Sequence, residues 1–106
     1  MNYFDKMCAM TGYRPLTTFW DDFTIADQFD KDGIMDTYQH AFNEWKSDYK
    51  YLTELILVLN WKCWEKYETG NAELSELYGS LFYQAQDWAY DNLQDEELSY
   101  LLRTLD

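Results

Sequence analysis

The sequence predicts an all-α fold: an irregular antiparallel bundle of four to five helices, with a buried helix at about residues 48–69 as its centre. Three observations carry this expectation. Apolar residues recur at spacings of three and four along most of the chain, the period of a helix face. Glycine (four) and proline (one) are too scarce for an all-β sandwich or for disorder. Each periodic stretch is bounded by residues that start or stop helices. At 106 residues the chain is read as one domain, 1–106, because smaller pieces would lack cores of their own. Its 20% aromatic content means that rings, each burying roughly 150–250 Å², dominate whatever core forms.

Residues 1–16 read as a helical or irregular lead-in, broken at Thr11-Gly12 and Arg14-Pro15. Thr17 or Thr18 then caps a helix over Phe19–Phe29, with Asp21 and Asp22 in its first turn and Phe19, Phe23, Ala26 and Trp20 as its apolar side. Asp30-Lys31-Asp32-Gly33 has the composition of a turn. The next helix is expected from about Gly33 to Lys46, with Ile34, Tyr38, Ala41, Phe42 and Trp45 on one stripe. Ser47 or Asp48 caps the long helix that ends near Thr69, with Gly70 as terminator. Leu52, Leu55, Ile56, Leu59, Cys63 and Tyr67 form its stripe, and Leu57, Val58, Trp61 and Trp64 make other sides apolar too. A helix apolar nearly all round is a buried one. Asn71 caps a helix to roughly Asn92, lined by Leu74, Leu77, Tyr78, Leu81, Ala85, Trp88 and Ala89. A last helix follows Asp95, with Glu96 and Glu97 in its first turn, Arg103 in its last, and Leu98, Leu101, Leu102 and Leu105 packing inward.

The formal charge is −12 and uneven. Residues 16–45 carry seven acids against Lys31, and residues 68–106 carry nine against Arg103; the segments between are close to neutral. Such a field repels nucleic acid and anionic membrane and favours a basic protein surface as partner. The longest aliphatic run, Leu55–Leu59, is far short of the ~20 residues of a membrane span, and the acidic start MNYFDKMCAM does not read as a secretory leader. Cys8 and Cys63 make no disulfide framework, so both are expected as reduced thiols in the cytoplasm.

No catalytic residue, metal site or cofactor is expected. Asp30 to Gly33 resembles the opening of a calcium loop, but neither register supplies the closing carboxylate: position 12 falls on Ala41 or Gln39. His40, the one histidine, falls off the apolar stripe one turn after Asp36 and reads as an exposed side chain. Zinc-ligand spacing is absent. Twenty acids guarantee chance carboxylate pairs, so no glycosidase-like pair is inferred.

The candidate partner-binding residues are Glu76, Tyr83, Asp87, Tyr90 and Asp91, projecting opposite the leucine stripe of their helix, together with Trp61, opposite the Leu52–Cys63 stripe. Tyrosine and tryptophan supply rigid contact area with a polar handle. For Trp61, packing inside the bundle is the competing expectation. One helix with four acids cannot imitate DNA, whose duplex carries about 18 charges over 30 Å. Mimicry requires the acids of residues 21–36 and 87–97 to share one side.

The segments FWDDFTIADQF, DTYQHAFNEWK, YKYLTELILVLNW and LSYLLRTLD resemble small acidic proteins of phages and mobile elements in gut Firmicutes, over most of the chain. The resemblance implies a context and no residue roles: accessory proteins of mobile elements act on host or rival machinery through protein contacts. The leading expectation is a non-enzymatic interaction or accessory protein, counter-defence or nucleic-acid mimicry included. The alternative is a structural protein that assembles with itself through Trp61 and Trp64, and carboxylate-based enzyme chemistry ranks third.

Overall fold

The computed structural model describes residues 2–106. Among them the chain forms α1 (Tyr3–Thr11), α2 (Phe19–Ala26) running into a 3-10 turn (Asp27–Phe29), α3 (Asp30–Trp45), α4 (Tyr49–Glu68), α5 (Ala72–Asn92) and α6 (Asp95–Leu105), with no strand among the described residues. The expected all-α bundle is what forms. Helix α4 touches α2, α3, α5 and α6, and every residue from Leu52 to Leu59 is buried. Being covered on all sides is why its apolar residues do not keep to one stripe.

Local chemistry sets the ends. The Asp48 carboxylate accepts from the Lys50 and Tyr51 N–H groups at 3.1 and 3.3 Å and opens α4. Gly70, in the left-handed region (φ 81°), reverses the chain after it. Asn71 accepts from the Leu74 N–H at 3.1 Å, and Glu97 accepts from the Gln94 N–H at 3.2 Å to open α6.

Helices α3 and α5 lie side by side and parallel. Lys31 and Glu73 pair at 2.8 Å at their amino ends, and Phe42 meets Trp88 edge-on, centroids 5.4 Å apart, further along both. Helix α2 occupies the opposite flank of α3, where Asp36, Thr37, His40 and Ala41 face it.

Four expectations need correction. The stretch Asp30–Gly33 is the first turn of α3, not a free turn, and the reversal is concentrated at Asp30, whose φ of 56° and ψ of −150° make it the one non-glycine residue with positive φ among those described. The helix from Phe19 therefore ends at Ala26 and tightens into the 3-10 turn, and Thr18 at its cap position makes no capping bond. Tyr67, placed on the α4 stripe, is 68% exposed, in the last turn of α4 before the reversal at Gly70. Leu102 is exposed while Leu101 is fully buried, so α6 turns a narrower face inward than its four leucines suggest.

The Asp30 backbone stores about 1–3 kcal/mol of strain, while Gly33 is required by close approach: a Cβ there would lie 2.5 Å from Phe29 Cβ and 2.9 Å from the Ala26 carbonyl oxygen. Asp30→Gly is expected to stabilise the fold by up to about 1 kcal/mol, and Gly33→Ala to destabilise it by about 1–3 kcal/mol. Urea unfolding of both variants checks the pair. A midpoint that falls for Asp30→Gly would contradict the strain assignment.

Candidate functional site

The exposed side of α5 carries five of the six candidate residues. Glu76, Tyr83, Asp87 and Tyr90 are separated by seven, four and three residues, which brings them onto one stripe of a helix, with Asp91 beside it. All five are exposed, Tyr83 at 63% and Tyr90 at 44%. Phe82 supports the Tyr83 ring edge-on at 5.2 Å, and the Tyr90 hydroxyl accepts from Gln86 Nε2 at 3.3 Å. Among the described residues, the ring pairing of Tyr83 and the hydrogen bond of Tyr90 both stay within α5.

Trp61 does not belong to that surface. It is 5% exposed, with Phe4 at 5.6 Å and Tyr13 edge-on at 6.3 Å. Helix α1, which the lead-in becomes, covers it: Asn2 caps α1 through the Asp5 N–H at 2.8 Å, and Phe4 also stacks on Trp20 at 5.0 Å. Trp64 is exposed and meets exposed Tyr67 edge-on at 6.0 Å, so of the Trp61–Trp64 pair only Trp64 is available to another molecule.

Two buried charged clusters were not foreseen, and each starts on α4. Glu54, 1% exposed, accepts from the Tyr13 hydroxyl and the Leu16 N–H at 2.6 Å each, from the Thr17 N–H at 2.8 Å, and from the Thr17 hydroxyl. This one carboxylate ties the chain between α1 and α2 to the core. Burial, then the bond to Glu54, pushes the Tyr13 phenol far above its ordinary range. On the other side Lys62, fully buried, donates to Asp27 at 2.8 Å and Glu65 at 3.0 Å and lies 4.5 Å from the centre of the Trp20 ring. Lys66 reaches the same Asp27 oxygen at 2.8 Å, and the Tyr78 hydroxyl donates to the other. Burial pushes the Asp27 carboxyl up, but the bonds from Lys62, Lys66 and Tyr78 outweigh it and hold the group below the usual carboxylate range. Both clusters are saturated: no buried side-chain polar atom among those described lacks a partner. The sequence signal for them is a charge inside an apolar run, Glu54 within LTELIL and Lys62 within NWKCW, on a helix apolar all round.

The remaining sites take modest places. Asp30 and Asp32 are exposed at the start of α3. His40 is exposed, 3.7 Å from Asp36. Cys63 is half-buried against the Ser75 hydroxyl at 3.6 Å. Burial, then Asp5 and Glu54, raises the Cys8 thiol, which lowers its reactivity at neutral pH. Among the described residues no three His, Cys, Asp or Glu side chains converge as a metal site, and no helix is long and apolar enough to cross a membrane.

The acids are grouped by element. Asp22, Asp36 and Glu44 line the open side between α2 and α3, Glu76, Asp87 and Asp91 are exposed along α5, and Asp30 and Asp32 share a hollow with Glu73 where the amino ends of α3 and α5 meet. No protein-family model matches the chain, and the comparisons with curated proteins and with solved structures found no match.

Proposed function

We propose that this chain is a non-enzymatic interaction protein that binds a basic surface on a partner protein. The observation that carries the reading is the α5 stripe: two exposed tyrosines flanked by three carboxylates, on a chain of net charge −12. Exposed aromatics among acids supply anchoring area and the charge that steers a cationic partner. The resemblance to proteins of phages and mobile elements in gut Firmicutes adds a context, an accessory or counter-defence factor acting on host or rival machinery in the cytoplasm. Nucleic-acid mimicry is the weaker form of the idea, since the α5 stripe is marked by exposed tyrosines and not by a continuous run of acids.

The test is capture from lysate of such a bacterium on the immobilised chain, eluted with a salt gradient. A basic protein released by moderate salt, and lost from a Tyr83→Ala/Tyr90→Ala bait, is the expected result, because exposed charge contacts are screened. Retention unchanged by the double substitution, or no retained protein at low salt, sinks the reading.

The second reading is self-assembly. Exposed Trp64 and Tyr67 favour it, offering adjacent rings at the end of α4. A dimeric mass in solution that reverts to monomer in Trp64→Ala would replace the first reading, and a monomer at all concentrations would remove the second.

A further inference from the structure

A second surface is shaped for a more specific occupant. Where α2 packs across α3, Ile25 is 58% and Phe29 65% exposed. They share a hollow with Asp22, Asp32 and Asp36. That hollow runs into another through Asp22, Ile25 and Asp36 and reaches Glu44. The two make one trough along α3 from Asp32 to Glu44, about 18 Å at 1.5 Å per residue. Apolar side chains and four carboxylates line it together with Thr37 and His40, and among the described residues no lysine or arginine does. The nearest cation in sequence, Lys31, is turned away to Glu73 at 2.8 Å. Phe29 is held outward by the reversal at Asp30 and the close approach at Gly33 described above, not by a loose loop.

We propose that this trough docks one basic amphipathic helix of a partner protein, its apolar stripe on Ile25 and Phe29 and its lysines or arginines along Asp22, Asp32, Asp36 and Glu44. The length matches about three turns of helix, and apolar anchors one turn apart are how a single helix fills such a groove. Charge selects the occupant. A second copy brought face to face would set the same acids against each other, and nucleic acid or an anionic membrane is repelled by the same field. The proposal goes beyond the α5 reading: it gives the chain a second, separate contact surface in which Tyr83 and Tyr90 take no part.

The experiment titrates the full ¹⁵N-labelled chain with a synthetic peptide of about fourteen residues, leucines on one helical face and lysines elsewhere. A scrambled peptide of equal composition, without the stripe, is the control. The expected result is saturable binding of the striped peptide, with amide shifts confined to α2, the Asp27–Phe29 turn and α3. Affinity should fall about tenfold or more in Ile25→Lys and in Phe29→Lys, as for a central anchor, and the salt dependence should shrink in Asp22→Asn/Asp36→Asn. Both anchors are exposed, so these variants keep the fold, which circular dichroism verifies. Tyr83→Ala/Tyr90→Ala should bind as the parent does. Equal binding of the two peptides, or shifts that map to α5, overturns the trough and leaves the interaction-protein reading standing; that reading fails separately in the lysate capture. A homodimer dispersed by Phe29→Lys also overturns it, by making the occupant a second copy.

Discussion

Asp27→Ala is expected to cost about 3–5 kcal/mol, the range for removing one partner of a buried ion pair. The loss exceeds that of one contact because three groups depend on this carboxylate: Lys62 and Lys66 lose their shared acceptor, and the buried Tyr78 hydroxyl keeps only the Phe23 carbonyl at 3.3 Å. Lys62 would be left with Glu65 alone inside the bundle. Lys62→Met should cost less, since Asp27 keeps Lys66 and Tyr78 and the methionine fills the space over Trp20. Urea unfolding of both variants reads the asymmetry. Equal losses would mean that the fold depends on the packing of the lysine stem and not on the charge cluster.

The same group gives the acid limb a direction. Asp27 has a lower pKa folded than unfolded, so in acid the unfolded chain binds the extra proton first. Its stabilising contribution is complete above the unfolded carboxylate value, near pH 4, and is lost as pH falls through the folded value. Asp27→Asn should therefore flatten the dependence of stability on pH below about 4, while lowering stability at neutral pH. An acid limb as steep as the parent's would assign it to other carboxylates.

Glu54→Ala is the second large expectation, a loss of about 3–4 kcal/mol, because it strands the Tyr13 hydroxyl and two N–H groups that have exchanged water for this carboxylate. Tyr13→Phe removes one donor and leaves the acceptor satisfied, so about 1.5 kcal/mol is expected. The damage should be local as well as global. With the segment after α1 released, α1 loses its seat on Trp20 and Trp61, and the near-ultraviolet circular dichroism of those buried rings should weaken before the helical signal does. Coincident loss of both signals would show that α1 and the bundle unfold as one unit.

The long α4 helix and its Asp48 cap, the Asn71 cap of α5 and the outward stripe at Tyr83 and Tyr90 are all legible in the residues. Each follows from the period of one helix and from side chains that reach only their own turn. Trp61 shows where that reasoning ends. A tryptophan opposite a leucine stripe is surface unless something covers it, and what covers it is α1, whose Phe4 is 57 positions away in the chain. The Asp30–Gly33 stretch has the composition of a turn and folds as helix, because the strained backbone at Asp30 carries the reversal alone. Glu54 and Lys62 declare their burial by position, but their partners Tyr13, Thr17 and Asp27 are 35 to 41 residues distant. The α2–α3 trough belongs to neither helix, since it exists only where the two meet. Interactions within a turn or two set the helices, their caps and the faces each helix owns. Which faces are covered, which charges are paired and where two helices leave a groove between them were decided by the tertiary structure, through contacts that no local period encodes.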